Sequence, residues 1–236
     1  MKINSIFYLY IRFRGRVTMK RQDWLNEKRI MAEKRYDSIF SIDYDKNWGN
    51  IEKIHEETLE KFLKLIIPNG KILDAACGTG KYYPIISSKN FNVLGIDQSQ
   101  KMLKNANCKF PLMKTKKLGL QEISFNNEFD GIICIDALEN VFPEHLLSVF
   151  QNFYKALKPN GYFYFTIETL NDDEINIAFE KGIEMGLPIV KGEYILEGGY
   201  HYYPSIDEIK TLLISAKFNI FSENMSEGYH HFIVSK

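Results

Sequence analysis

The segment Ile72-Leu-Asp-Ala-Ala-Cys-Gly-Thr-Gly80 constrains this chain more than any other. A short apolar run meets a carboxylate, Asp74, then turns on two glycines one residue apart, Gly78 and Gly80. Tyr82, Tyr83, Ile85 and Ile86 continue in a helix-like pattern. A strand, a Gly-rich turn and a helix start together form a nucleotide-type site, because bare backbone at the two glycines lets a ligand come close. A dinucleotide fingerprint needs a third glycine, and that position holds Tyr83. Asp74 faces the same turn with a negative charge, which opposes a pyrophosphate and suits a cationic ligand.

The second signal is Asn92-Val-Leu-Gly-Ile-Asp97. Val93, Leu94 and Ile96 read as a buried parallel strand, and Asp97 ends it at the edge where open α/β sheets bind ligands. It follows Gly78 by 19 residues, the spacing of an acid that holds both ribose hydroxyls. A nicotinamide enzyme places an acid similarly, so Asp97 discriminates only together with Asp74 and the missing glycine.

These segments resemble motif I and the following acidic position of the class I S-adenosylmethionine-dependent methyltransferases, with Ala76 where the family often has glycine. Later segments follow the same family in order. Phe129-Asp-Gly-Ile-Ile-Cys-Ile-Asp136 resembles the strand under the cofactor, and Leu157-Lys-Pro-Asn-Gly161 the helix end before the next strand, Tyr162–Glu168. Lys217-Phe-Asn-Ile-Phe and Tyr229-His-His-Phe-Ile-Val resemble the closing antiparallel pair. The resemblance covers roughly residues 50–236. It implies a doubly wound, mostly parallel seven-stranded sheet with an antiparallel C-terminal strand, plus N-terminal helices and an inserted cap. It implies S-adenosylmethionine as cofactor, released as S-adenosylhomocysteine. Asp74, Ala75, Ala76, Gly78 and Gly80 would form the turn around it and Asp97 would hold the ribose. Gln98 and Met102 would line the adenosine pocket, Ile135 would lie beneath, and Tyr36 would touch the methionine end. Gly119 stands where many relatives carry an acid beside adenine, which leaves that role to Leu120 and Gln121.

Length and composition suit one α/β domain over 20–236 that can bury a sizeable core: 45% of residues are hydrophobic and 25% charged. No apolar run approaches the roughly 20 residues that span a bilayer. The odd count of three cysteines, Cys77, Cys108 and Cys134, points to reduced thiols in a cytoplasm, not to a disulfide framework. The absence of Cys-x-x-Cys or paired-histidine spacing argues for no metal. The net charge of zero hides a basic start: residues 1–35 hold ten Lys or Arg and three acids. Residues 1–19 are expected to be a loosely ordered basic arm, more often a solvated segment than a nucleic-acid contact.

A helix is expected over about 20–35 and another over about 51–67, ended by Pro68-Asn-Gly. The aromatics between them, Tyr36 and Tyr44 to Trp48, would fold over the cofactor and place Trp48 at the acceptor. Residues 170–204 exceed a plain connection and read as a cap. Within it, Gly198-Gly-Tyr-His-Tyr-Tyr-Pro204 sets rings beside glycines, so His201, Tyr202 and Tyr203 are acceptor-side candidates with Glu168. An extended segment would turn His201 and Tyr203 one way and Tyr202 the other. Methyl transfer is an in-line displacement that depends on positioning, with a base needed only for a protonated nucleophile. Asp136, Glu139 and His201 are the candidate bases. The expected activity is methylation of a small molecule. The same fold acting on protein or RNA, or binding the cofactor without turnover, remains the alternative at this level. Acceptor identity and oligomeric state are not written in the sequence.

Overall fold

The computed structural model describes residues 19–196 and 199–236. The expected basic arm, except Met19, therefore lies outside the described residues, as do Glu197 and Gly198. Five strands run parallel: β1 (Lys71–Ala75), β2 (Asn92–Asp97), β3 (Lys114–Lys117), β4 (Phe129–Cys134) and β5 (Leu157–Glu168). β8 (Asn219–Ser226) and β9 (Tyr229–Ser235) complete a seven-stranded sheet in the order β3-β2-β1-β4-β5-β9-β8, with β9 antiparallel to both neighbours. This is the expected fold. Strand order reverses between β1 and β4, so a crevice opens there at the carboxyl ends of the strands.

Alternation along β5 builds the two layers. Phe163 and Phe165 point to one face, where they meet Phe150 and Phe153 of α6 (Pro143–Ala156) at ring separations of 4.6–6.4 Å. Tyr164 points to the other, against Phe62 of α3 (Lys53–Leu63). α3 is shorter than its sequence pattern: Glu52 is extended, and the helix ends at Leu63. Ile66 still packs in the core, so the apolar period outlasts the helix that carries it.

α1 (Arg21–Arg35) covers the first face through Trp24 and Leu25, both buried, with Trp24 edge-on to Tyr200 at 5.8 Å. A π-helical turn, Tyr36–Phe40, leads into α2 (Ser41–Trp48). The cap comprises α7 (Asp172–Glu184) and a separate hairpin of β6 (Glu193–Leu196) and β7 (Gly199–Tyr202). Arg21 fastens cap to core. Its guanidinium donates to both carboxylate oxygens of Glu193 at 2.8 and 3.0 Å, to the Pro188 carbonyl at 2.6 Å, and to Glu144 of α6. Ser205 then caps α8 (Ile206–Ser215), accepting from the Glu208 N–H. Among the described residues no helix is long and apolar enough to cross a membrane.

Candidate functional site

The crevice beside β1 and β4 is open to solvent and encloses about 630 Å³ of empty space. Its first wall is the turn after β1, where Ala76 and Gly78 adopt left-handed backbone, with φ of 60° and 54°. The Gly78 N–H donates to Asp97 at 3.0 Å, and the Ser99 N–H donates to the other carboxylate oxygen at 2.8 Å. Asp97 is thus fixed between the turn and α5 (Gln100–Lys109), each oxygen keeping acceptor capacity. A Cβ on Gly78 would reach 3.5 Å from the Met102 methyl and 4.0 Å from the Tyr44 ring. Glycine therefore leaves a slot between Met102 and Tyr44 that a flat ligand can use.

Gly80 works differently. A Cβ there would meet Met113 and Phe110 at 3.1 Å, so its bareness serves packing of the turn on the core and not ligand approach. Asp74 lies behind the turn, 2% exposed, with Oδ2 lacking any partner. Burial, and then the field of Asp97, push its carboxyl up to about 7. Burial likewise raises Asp97 to about 6, against the two N–H donors that hold it ionised. Asp97 at the cavity wall and the buried Asp74 behind it, with one oxygen unpartnered, together favour a ligand that brings positive charge.

Gln98, Met102, Leu118, Gly119, Leu120 and Gln121 form the second wall, and Asp136, Ala137, Asn140 and Val141 the floor. Tyr36 and Tyr44 close the top. The segment bearing them is tethered across the cavity's edge: Asp37 accepts from Ser99 Oγ at 2.5 Å and Asp45 from Lys109 Nζ at 2.8 Å. Both phenols are held protonated well above the ordinary tyrosine range, chiefly by burial and then by nearby carboxylates.

The structure brings Tyr36, Ala76, Gly78, Asp97, Gln98, Met102, Leu120, Gln121 and Asp136 to one cavity. Several expected residues lie elsewhere. Ala75 is buried in the main core, and Ile135 packs with Ile133 and Tyr164 on the α3 face. Trp48 is 46% exposed and leans on Phe40 and Tyr44, covering the outside of the lid and not an acceptor. Tyr202 points into the core and donates to Glu208 at 2.8 and 2.9 Å, as strand alternation demands, so it is not on the acceptor side. His201 and Tyr203 face the other way, their rings stacked 6.0 Å apart. His201 Nδ1 lies 4.0 Å from Glu168 at the end of β5. Glu139, 8% exposed, immediately precedes Asn140 of the cavity floor. Burial pushes its carboxyl up to about 8, with Glu168 and Asp136 pushing the same way.

Tyr44 lies in the aromatic stretch expected over the site, while sequence reasoning missed Leu118, Ala137, Asn140 and Val141 on the walls. A buried polar cluster also went unread. His55 Nδ1 lies 3.2 Å from the Tyr82 hydroxyl and 3.9 Å from Asp136, and its ring meets those of His231 and Tyr229 at 5.0 and 4.9 Å. His231 bridges the Tyr164 and Ser226 hydroxyls at 3.1 and 2.9 Å; burial lowers it to about 4, so it is neutral at neutral pH. Asp136 Oδ2 is also 3.6 Å from Lys81 Nζ. These contacts join residues distant in sequence, so no spacing announced them.

Residues 72–161 match the family described as Methyltransferase domain. The chain is 34% identical over 119 residues to an uncharacterized methyltransferase of Synechocystis, covering 50% of this chain and 55% of that one. It is 31% identical over 116 residues to the Bacillus subtilis methyltransferase YqeM, covering 46% and 47%. The chain thus spans about half the length of these curated relatives. Its fold is that of the Burkholderia thailandensis 1,6-didemethyltoxoflavin-N1-methyltransferase, with TM-score 0.68 at 14% identity over 95% of this chain and 93% of that one. A Methanosarcina mazei methyltransferase aligns with TM-score 0.65 at 18% identity over 79% and 98%. Motif and sheet order agree with these likenesses: residues 72–161 are similar to a methyltransferase domain, within a chain that has the fold of solved methyltransferases.

Proposed function

We propose that the protein binds S-adenosylmethionine in this cavity and methylates a small molecule. The observation that carries the reading is the pairing of a slot at Gly78 with Asp97, fixed by two backbone donors at the cavity wall, and the unpartnered Asp74 oxygen behind the turn. Those residues fit the cofactor: Asp97 would accept from the ribose hydroxyls, Leu120 and Gln121 would flank adenine, and Met102 would pack on the adenosine. Asp74 would stabilise the positive methionine end through the turn. The cofactor, when bound, supplies an electrophilic methyl group on a sulfonium.

The chain's own part is positioning and exclusion. Tyr36 and Tyr44 cover the cavity, which shields the reacting groups from water and restricts access to small acceptors. Asp136 follows β4 in left-handed backbone, φ 54°, with its N–H donating to Thr166 Oγ1 at 2.9 Å. That turns its carboxylate toward the cavity, within reach of Lys81 and His55, as an acceptor for an acceptor proton. His201 and Tyr203 would form the outer acceptor wall.

The test is release of S-adenosylhomocysteine on incubation with S-adenosylmethionine and a protein-free metabolite fraction. Turnover with that fraction, and not with RNA or protein fractions, is expected. Turnover confined to RNA or protein would overturn the small-molecule reading.

A further inference from the structure

Asp136 lines the cavity, and its two oxygens have different surroundings. The side chain is 27% exposed, and Oδ2 lies 3.6 Å from Lys81 Nζ. Oδ1 is fully buried, accepts no hydrogen bond among the described residues, and lies 3.9 Å from His55 Nδ1. The cavity thus reaches this carboxylate from the Oδ2 side, with His55 behind it. His55 belongs to α3 and is 1% exposed. The Tyr82 hydroxyl holds its Nδ1 at 3.2 Å, and the rings of Tyr229 and His231 stand edge-on to it. Its Nε2 has no partner among the described residues.

An unpartnered buried polar atom costs about 1–3 kcal/mol. Asp136 Oδ1 and His55 Nε2 are two such atoms on neighbouring side chains. A proton arriving on His55 Nδ1 would relieve the first. A charge-assisted N–H to carboxylate contact measures about 2.7–2.9 Å, so Oδ1 would need to move by only about 1 Å. We propose, building on the methyltransferase reading, that Asp136 and His55 work as one acid–base pair, in which Asp136 takes the acceptor's proton at Oδ2 and His55 holds it at Nδ1. His55 touches neither acceptor nor cofactor and acts only through Asp136.

The step balances without a further reactant. The acceptor's O–H or N–H bond breaks as Oδ2 takes the proton. The freed pair forms the bond to the methyl carbon, while the C–S bond breaks and its electrons stay on sulfur. Rotation about the soft Cβ–Cγ torsion of Asp136 then presents the protonated oxygen to the Nδ1 lone pair of neutral His55. The positive charge lost from sulfur reappears on the imidazolium, and Asp136 is again a carboxylate beside Lys81. The groups facing His55 decide how well it holds the proton. Burial pushes the imidazole down; Asp136 and then Glu52, at the start of α3, push it up, and Lys81 pushes it down. Tyr82 follows the β1 turn, Tyr229 and His231 come from β9, and Tyr164 of β5 is bonded to His231.

The test follows the His55 imidazole by NMR in histidine-labelled protein, with through-bond assignment in the unmutated chain. The pH is varied from about 5 to about 9 in protein saturated first with S-adenosylhomocysteine and then with S-adenosylmethionine. His55 is expected to take up its proton in that range in the S-adenosylhomocysteine complex, at a midpoint at least about half a unit above that in the S-adenosylmethionine complex, whose sulfonium repels it. Asp136→Asn should lower the midpoint by at least about one unit while His145 of α6 moves by less than about 0.2. A histidine that merely packs would respond to neither change. His55→Gln should lower S-adenosylhomocysteine release with the metabolite fraction at least about tenfold, with S-adenosylhomocysteine affinity kept within about threefold. The proposal is overturned by a midpoint equal in the two complexes and unmoved by Asp136→Asn, by a His55 that stays neutral throughout, or by full turnover in folded His55→Gln protein. Failure of S-adenosylhomocysteine itself to bind would instead overturn the methyltransferase reading.

Discussion

Asp97→Ala is expected to weaken S-adenosylmethionine binding by about ten- to a hundredfold, because it removes a charge-assisted contact worth about 1.5–3 kcal/mol. The side chain is well placed for a loss of that size. It is nearly buried at the cavity wall and held by two backbone donors, so its geometry exists before the ligand arrives. The same carboxylate gives binding a pH dependence. In the free protein, burial raises Asp74 to about 7 and Asp97 to about 6. A cationic ligand favours their ionised forms, so affinity is highest above pH 7 and falls as pH drops through 7 and then 6. Calorimetry across that window checks both statements. An unchanged dissociation constant in a folded Asp97→Ala protein would remove the ribose role.

Trp24→Ala is expected to destabilise the protein by about 3–5 kcal/mol, the cost of emptying a large buried aromatic site. For a chain of this size that corresponds to a drop on the order of 10 °C in melting temperature. Trp24 is 1% exposed and meets Tyr200 of the cap hairpin. α1 also carries Arg21, whose guanidinium joins Glu193 and Glu144. The helix is therefore a strut between cap and core, and thermal unfolding of the variant should reveal it. A loss below about 1 kcal/mol would mean that α1 unfolds independently of the core.

The fold was legible wherever one segment carried its own pattern. Ile72–Gly80 and Val93–Asp97 announce strand, turn and edge acid within a few residues, and the structure joins them through one hydrogen bond, Gly78 to Asp97. Strand alternation foretold that Tyr202 turns away from His201 and Tyr203, although not that it would reach Glu208. What the sequence withheld depends on contacts between distant segments. Gly80 looks like a ligand glycine until Met113 and Phe110, some 30 residues on, fill the space beside it. Trp48 looks like a pocket aromatic until the chain turns it outward over Tyr44. The His55 cluster requires α3, the turn after β1, the end of β4 and β9 to meet, and no window of sequence contains all four.

The central claim is that this cavity takes S-adenosylmethionine and not a dinucleotide. Calorimetric titration of one protein preparation with S-adenosylmethionine, S-adenosylhomocysteine and NAD tests it directly. The account predicts saturable one-to-one binding of the two sulfur nucleosides and no comparable binding of NAD, whose pyrophosphate would come against a turn that is backed by the Asp74 carboxyl and has Tyr83 in place of the third glycine. NAD binding more tightly than S-adenosylmethionine would contradict it.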